Sequence, residues 1–449
     1  MEQLNPKKSY FSRLEMVVLL LCFSICLTGA FLLPVDQCPD EKSRLMLSEW
    51  IVKTGTLPTG NEPEVMIPGW GYSYALYPYL SAIVGAAFKK AATCFTDSPR
   101  ILLAASRMCS VLAVTFCCFF CLHLGHRLFE RKSSAVLLAV LVCFLPQVMF
   151  LGMYQNNDAL SLCAVSMMLY YLVEGYDCKW PVTSCIGLAV SFSIGLLSYY
   201  SIYGWLLMGA LFSVLAVLLE AKRSDNWQLL FKRAILILGI CLLLAGWFFI
   251  RNAMLHDGDF LGFVSEHSSR KTMQEQGHVL YDGLSCRNDG MSVIQFLRFK
   301  NYEWVCMTAD SFVGVFGYMI YYLSSEQYCF YSVILGGGVL YFLAVLLRCK
   351  LCRRDSLLLL MMMVSSGISI TLSFCSSYVR DYQPQGRYVI TLILPLAYML
   401  SYGMDKTTVT VQGSKPGKTS EFNTAAAVTV LWLSLFVWAA LGTMSKMIA

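Results

Sequence analysis

The chain has 449 residues, of which 57% are apolar and 14% charged, with a mean hydropathy of +0.59. That balance excludes a soluble globular enzyme and describes an all-α polytopic membrane protein. The 34 Lys and Arg against 28 Asp and Glu give +6; with the lipid bilayer as its surroundings and no nucleic acid among its expected partners, what matters is which loops carry the excess.

The first apolar run, Met16 to Leu33, is longer than a signal-peptide core and is followed by no small-residue cleavage site, so it is expected to stay as a signal anchor. Beyond it lies a first outer loop, 34–99, which opens with Pro39-Asp40-Glu41-Lys42-Ser43-Arg44. Pro39-Asp40 reads as a helix start and Lys53-Thr54-Gly55-Thr56-Leu57-Pro58 as its stop. Leu45, Met46, Trp50 and Ile51 recur at helical spacing between them, which predicts a short amphipathic helix on the membrane. Asp40 reads either as the cap of that helix or as a chemical group held at the bilayer surface.

Further apolar runs are Ile101–Leu122, Ala135–Tyr154, Ala159–Val173, two within Pro181–Leu219, Ala234–Ile250, Tyr328–Leu347, Ser356–Tyr378, Tyr388–Met404 and Ala425–Met444. Each is weighed against the ~30 Å of hydrocarbon to be crossed. Tyr74–Phe88 and Phe312–Leu323 are doubtful. If both lie along the interface, eleven spans remain, and thirteen if both cross. With eleven, the basic residues fall on one side: Lys7, Lys8 and Arg13, then Arg127, Arg131 and Lys132, the clusters within 222–233 and 348–354, and Lys406, Lys415 and Lys418. Only Arg380 and Arg387 lie in the short loops opposite. The positive-inside bias then predicts a cytoplasmic N-terminus and eleven spans in one integral-membrane unit over 1–449. Lys415-Pro416-Gly417-Lys418 reads as a flexible cytoplasmic loop. Arg107 lies inside a span, where a charge needs a cavity or a partner.

The same topology gathers the polar residues on the outer face. They lie in the Asp40 loop, Gln155-Asn156-Asn157-Asp158, the turn near Ser198–Tyr203, a long outer loop (251–327) and Arg380-Asp381-Tyr382-Gln383-Pro384-Gln385-Gly386-Arg387-Tyr388. Asn157 or Asp158 also suits a helix cap, and Arg251 an interfacial anchor beside Trp247 and Phe248. Carboxylates with arginines at membrane depth suit an anionic lipid headgroup and a hydroxyl to be deprotonated.

Five patches resemble the GT-C superfamily of integral-membrane glycosyltransferases, including the protein O-mannosyltransferase and aminoarabinose-transferase group. The resemblance is nearest to a bacterial branch of predicted membrane proteins of unknown function. The patches are Pro39-Asp40-Glu41 with Thr54–Pro58, Asn157-Asp158-Ala159-Leu160, and Gly246-Trp247 through Arg251-Asn252 with Asp257–Gly262. Ser311-Phe312-Val313-Gly314-Val315-Phe316-Gly317-Tyr318, expected as an interfacial helix, and Gln385-Gly386-Arg387-Tyr388 with Pro395 complete the set. The resemblance implies a polyprenyl-phosphate-linked sugar donor and transfer at the outer face of the cell membrane to an unknown acceptor. It implies Asp40 as the base, with Glu41 and Asp158 as further catalytic residues, Asp158 on the acceptor or sugar side. Arg387 and Arg251 would bind the carrier phosphate, joined by Tyr388, Gln385 and Arg380 from the same polar turn.

The chemistry agrees. The leaving phosphate is already a weak base, so one carboxylate and one or two arginines suffice, with inversion at the anomeric carbon. A transporter or flippase using Arg107, or a surface-polysaccharide polymerase or ligase, is the alternative. No cofactor is required by any motif. A divalent cation is left open by His256, His267 and His278 with Asp257, Asp259, Glu266 and Asp282 in the long loop, although their spacing matches no metal motif. Cys286 and Cys306 are candidates for a disulfide there.

Overall fold

The computed structural model describes residues 11–224, 227–281, 283–407, 409–412 and 419–447. Lys7, Lys8, Asp282 and Lys415–Lys418 lie outside these. The first helix, α1 (Arg13–Leu32), opens on a capping box between Ser12 and Glu15. The first loop then forms α2 (Glu41–Thr54), closed by Gly55 in the left-handed conformation, and α3 (Leu80–Ala92). The doubtful stretch at 74–88 is therefore a 3-10 turn at Tyr74–Leu76 followed by a 13-residue helix, which packs on α2 and α4 (Pro99–Leu128).

The expected single span at 135–154 is two pieces, α5 (Lys132–Cys143) and α6 (Pro146–Leu151). Pro146 supplies the physical reason. Its ring disfavours helical geometry in the residue before it, and Leu145 is extended at φ −67°, ψ 129°. Next come α7 (Asp158–Asp177), α8 (Val182–Leu196) and α9 (Tyr203–Ser224), the last two joined through a 3-10 turn at Tyr200–Ile202. α10 (Trp227–Cys241) continues through a π turn at Leu242–Gly246 into α11 (Trp247–Leu255).

The long loop carries α12 (Phe263–Glu275), α13 (Val293–Arg298) and α14 (Glu303–Gly314). The expected interfacial helix at 311–318 is corrected here: α14 stops at Gly314. The chain then turns back as a two-stranded hairpin, β1 (Val315–Phe316) against β2 (Tyr321–Tyr322). Gly317 and Met319, both at positive φ, make the reversal. The remaining helices are α15 (Ser325–Leu346), α16 (Arg353–Val379), α17 (Ile393–Asp405), entered through a 3-10 stretch at Gly386–Leu392, and α18 (Thr424–Gly442).

Among the described residues nine helices are long and apolar enough to cross a membrane, and two of the expected spans, Lys132–Cys143 and Val182–Leu196, are shorter apolar helices. The core forms where α4 packs against α1, α3, α5 and α7. α10 and α15 instead bury few of their side chains within the bundle, as lipid-facing helices do.

The bundle has two polar ends of different character. At one end the Arg127 guanidinium meets Glu174 at 2.6 Å, Arg354 meets Asp177 at 2.8 Å and Lys406 meets Glu130 at 2.5 Å. At the other, the first loop, the 155–158 turn, the 198–203 turn, the long loop and the 380–388 turn converge.

Candidate functional site

The convergence is built from hydrogen bonds between distant stretches. Asn157 donates its amide to the carbonyls of Pro78 and Ser198 at 3.1 and 2.7 Å and accepts from the Ser81 hydroxyl. Asn157 stands at the N-cap position of α7 without a side-chain cap bond, and Asn156 before it satisfies the first turn instead, its side-chain oxygen accepting from Ala159 N–H at 2.8 Å. That leaves Asp158, buried in the first turn of α7, free for other work.

Asp40 stands at the N-cap position of α2 but makes no side-chain cap bond, and its backbone is left-handed at φ 58°. The capping reading therefore falls. A non-glycine residue held there costs of order 1 kcal/mol, which the surroundings must offset. The Asp40 carboxylate instead meets Arg387, 347 positions later, with Nη2 donating to Oδ2 at 2.6 Å.

Arg387 is almost fully buried at the head of the 3-10 stretch before α17. Its Nε donates to Gln385 Oε1 at 2.6 Å, and its guanidinium lies 5.0 Å from the Tyr388 ring centre. The Tyr388 hydroxyl donates to Gln383 Oε1 at 2.5 Å, and its ring stacks on Tyr199 at 6.2 Å. Burial pushes the Asp40 carboxyl up, but the Arg387 and Arg44 guanidiniums more than offset that and hold it below the usual carboxylate range. Asp158 shares the field of Arg387, Arg44 and Asp40.

Four members of this group were not singled out from the sequence as site residues: Arg44, Tyr74, Tyr154 and Tyr199. Arg44 had a legible signal, since it lies one helical turn beyond Asp40 and so on the same face of α2. Its guanidinium is 4.9 Å from the Tyr74 ring centre. Two buried polar atoms here, Arg44 Nε and the Tyr154 hydroxyl, have no protein partner among the described residues. Buried donors are ordinarily satisfied, and these two stand as exceptions beside the Asp40–Arg387 pair.

Three expected site residues do other things. Glu41 is completely buried and held by Arg107, whose Nε and Nη2 donate to its two oxygens at 2.8 and 2.6 Å. Gln155 N–H adds a third bond at 2.8 Å, and Arg107 Nη1 donates to the carbonyls of Ala30 and Leu33 at 2.9 and 2.7 Å. Both oxygens are spent, so Glu41 is corrected from a catalytic residue to the anchor of α2. Arg107 has found the partner its depth demanded.

Arg251 is corrected likewise. Its Nη2 donates to the carbonyls of Leu57 and Pro58, both at 2.9 Å, so it straps the loop after α2 and is not bonded to the Arg387 group. Arg380 is more than half exposed, 3.8 Å from Glu266 in an ion pair and over the Phe263 ring at 5.3 Å.

The acids of the long loop also have structural duties. Asp259 caps α12 by accepting from Gly262 and Ser265, and Glu266 takes the Tyr77 hydroxyl. Among the described residues no three His, Cys, Asp or Glu are grouped to hold a metal ion. Cys286 is buried, Cys306 exposed, and both are free thiols, so the expected disulfide is not formed.

The 380–388 turn is seated by Gly386. Its N–H donates to Ser311 Oγ at 2.7 Å, and a Cβ there would collide with the backbone of Phe312. Beside the Arg387 group lies a cleft of 390 Å³, bounded by Pro68–Trp70, Tyr281 and the turn from Asp381 to Gln385.

A family model described as predicted membrane protein (DUF2142) matches residues 60–397. A search of curated proteins finds no match. Among solved structures, ArnT from Cupriavidus metallidurans bound to undecaprenyl phosphate is similar at a TM-score of 0.53 and 13% identity, covering 88% of this chain and 60% of that one. The apo form of the same protein gives 0.51 and 13%, over 88% and 59%. The oligosaccharyltransferase AglB from Archaeoglobus fulgidus, in complex with an inhibitory peptide and a dolichol-phosphate, gives 0.49 and 11%, over 95% and 55%. The chain thus spans about three fifths of the length of the ArnT structures it matches, and the likeness is one of fold: a GT-C-like helical membrane architecture.

Proposed function

We propose, for a chain that belongs to the DUF2142 family of predicted membrane proteins, that it is a glycosyltransferase moving a sugar from a polyprenyl-phosphate carrier to an acceptor at the extracytoplasmic face. The observation that carries this reading is the ion pair between half-buried Asp40 and buried Arg387, with Arg44 and Asp158 in its field, at one polar end of a GT-C-like fold. Undecaprenyl phosphate held by the ArnT structure supports the carrier class.

Asp40 takes the proton of the acceptor hydroxyl as its oxygen bonds to the anomeric carbon. The bond from that carbon to the phosphate oxygen breaks, and its electron pair leaves on the carrier phosphate. Arg387 and Arg44 neutralise the developing charge, with Tyr388 and Gln385 orienting Arg387. Asp158 supports the acceptor or sugar side. A single displacement inverts the anomeric carbon. The face follows from charge: the basic loops collect at the opposite end, which the positive-inside bias assigns to the cytoplasm. Transport has lost its motive, since Arg107, the charge that suggested a path, is fully engaged by Glu41 and two carbonyls.

The test compares wild type with Asp40→Asn and Arg387→Ala in nanodiscs. Each is given radiolabelled polyprenyl-phosphate sugars and a membrane extract as acceptor source. Loss of the base is expected to lower transfer by about 10²–10⁴-fold, and the wild-type product to carry an inverted anomer. A retained anomer overturns the single displacement. No transfer from any donor, with both variants complementing a deletion, overturns the enzyme.

A further inference from the structure

We propose that the cleft beside Arg387 binds a saccharide, one ring face against Trp70 and Tyr281 and its hydroxyls on Asp381 and Gln385. This rests on the glycosyltransferase reading and deepens it. The cleft is a shallow, largely open depression of 390 Å³, so an occupant would lie against its walls with one face toward solvent. Its walls come from three distant parts of the chain and are pinned by backbone bonds. Tyr281 N–H donates to Gly69 O at 2.7 Å and Tyr382 N–H to Leu284 O at 2.9 Å, so the long loop is stapled to the first loop on one side and to the 380–388 turn on the other.

The aromatic wall is open to solvent. The Trp70 and Tyr281 rings stand 4.9 Å apart at 56°, with Tyr281 half exposed. The polar wall is prearranged. Asp381 Oδ1 accepts from Leu284 N–H at 3.1 Å and Oδ2 from Gln383 Nε2 at 2.6 Å, which fixes the carboxylate while leaving it lone pairs to accept from hydroxyls. Gln385 spends its oxygen on Arg387 Nε at 2.6 Å, and its Nε2, which has no protein partner among the described residues, keeps two donors.

Flat aromatic faces meet the apolar C–H face of a sugar, and a carboxylate with an amide meets hydroxyls that both donate and accept. A lipid chain would bury these polar groups unpaired, and a phosphate would meet Asp381 charge to charge. The cleft also connects with the chemistry: Gln385 bonds Arg387, and Gln383 holds the Tyr388 hydroxyl.

The experiment uses the full chain in nanodiscs with methyl glycosides of glucose, galactose, mannose and N-acetylglucosamine, read by saturation-transfer NMR. Retention of radiolabelled undecaprenyl phosphate is measured in parallel. Binding of at least one glycoside is expected, weakened tenfold or more in Trp70→Ala and Asp381→Asn but kept in Trp70→Phe, with carrier retention unchanged in all three. Two sources share this chemistry. A glycoside displaced by glycosylated carrier but not by bare carrier marks the donor's sugar; co-occupancy with glycosylated carrier marks an acceptor saccharide. Glycoside binding indifferent to Trp70→Ala and Asp381→Asn overturns the assignment. So does carrier binding without any glycoside binding, which leaves the transferase reading intact. Binding of neither overturns both.

Discussion

Asp40 and Glu41 are adjacent acids with separate partners, Arg387 for one and Arg107 for the other. Removing one member of a buried pair strands a charge, at about 3–5 kcal/mol. Glu41→Gln and Arg107→Met are each expected to lower unfolding stability in detergent by that order, while Asp40→Asn, at the more exposed of the two pairs, loses less stability and loses transfer. A second outcome follows from charge. Because Arg387 and Arg44 depress the Asp40 carboxyl, the free enzyme keeps its base ionised to below the usual ~3.9, and the acid limb of kcat/KM lies low. In Arg44→Ala one offsetting cation is gone, the carboxyl rises, and that limb moves to higher pH. The stability from this ion pair has the same sign: present above the unfolded carboxylate value and lost as pH falls through the folded one. From sequence, each of these side chains is visible but its partner is not. Asp40 finds Arg387 across 347 positions and Glu41 finds Arg107 across 66, separations that no local periodicity encodes.

Among the elements, the apolar helices are legible because their signal is local: length, hydropathy and flanking charge. The interruptions are legible only to a reader who weighs single residues. Pro146 ends a run that otherwise reads as one span, and Gly317 reverses a stretch that otherwise reads as helix. Neither break is idle, since Gln147, just after the proline, accepts from Val315 N–H in the hairpin at 3.2 Å. The seat of the 380–388 turn on α14 depends on Gly386 having no Cβ. Gly386→Ala is expected to cost about 1–3 kcal/mol by overpacking. By shifting Arg387 it should cut transfer by about 10²-fold, more than its loss of stability explains. Ser311→Ala, which removes one hydrogen bond without a clash, should lose far less, as paired melting and transfer assays would record.

At the scale of the molecule, the Asp40–Arg387 group and the long outer loops collect at one end and the Arg127–Glu174, Arg354–Asp177 and Lys406–Glu130 pairs at the other. Cys94, exposed after α3, and Cys178, exposed at the end of α7 beside Arg127, report on the two ends. With the proposed orientation, a membrane-impermeant maleimide labels Cys94 in intact cells and Cys178 only after permeabilisation; the reverse pattern inverts the topology. What no loop composition conveys is that Asp40 and Arg387 occupy one another. In the proposed reaction this makes the resting state latched. The carrier's phosphate is itself the competitor that draws Arg387 away, and only then does Asp40 recover its appetite for a proton. Donor therefore precedes acceptor in the catalytic cycle, and departure of the spent carrier resets the latch.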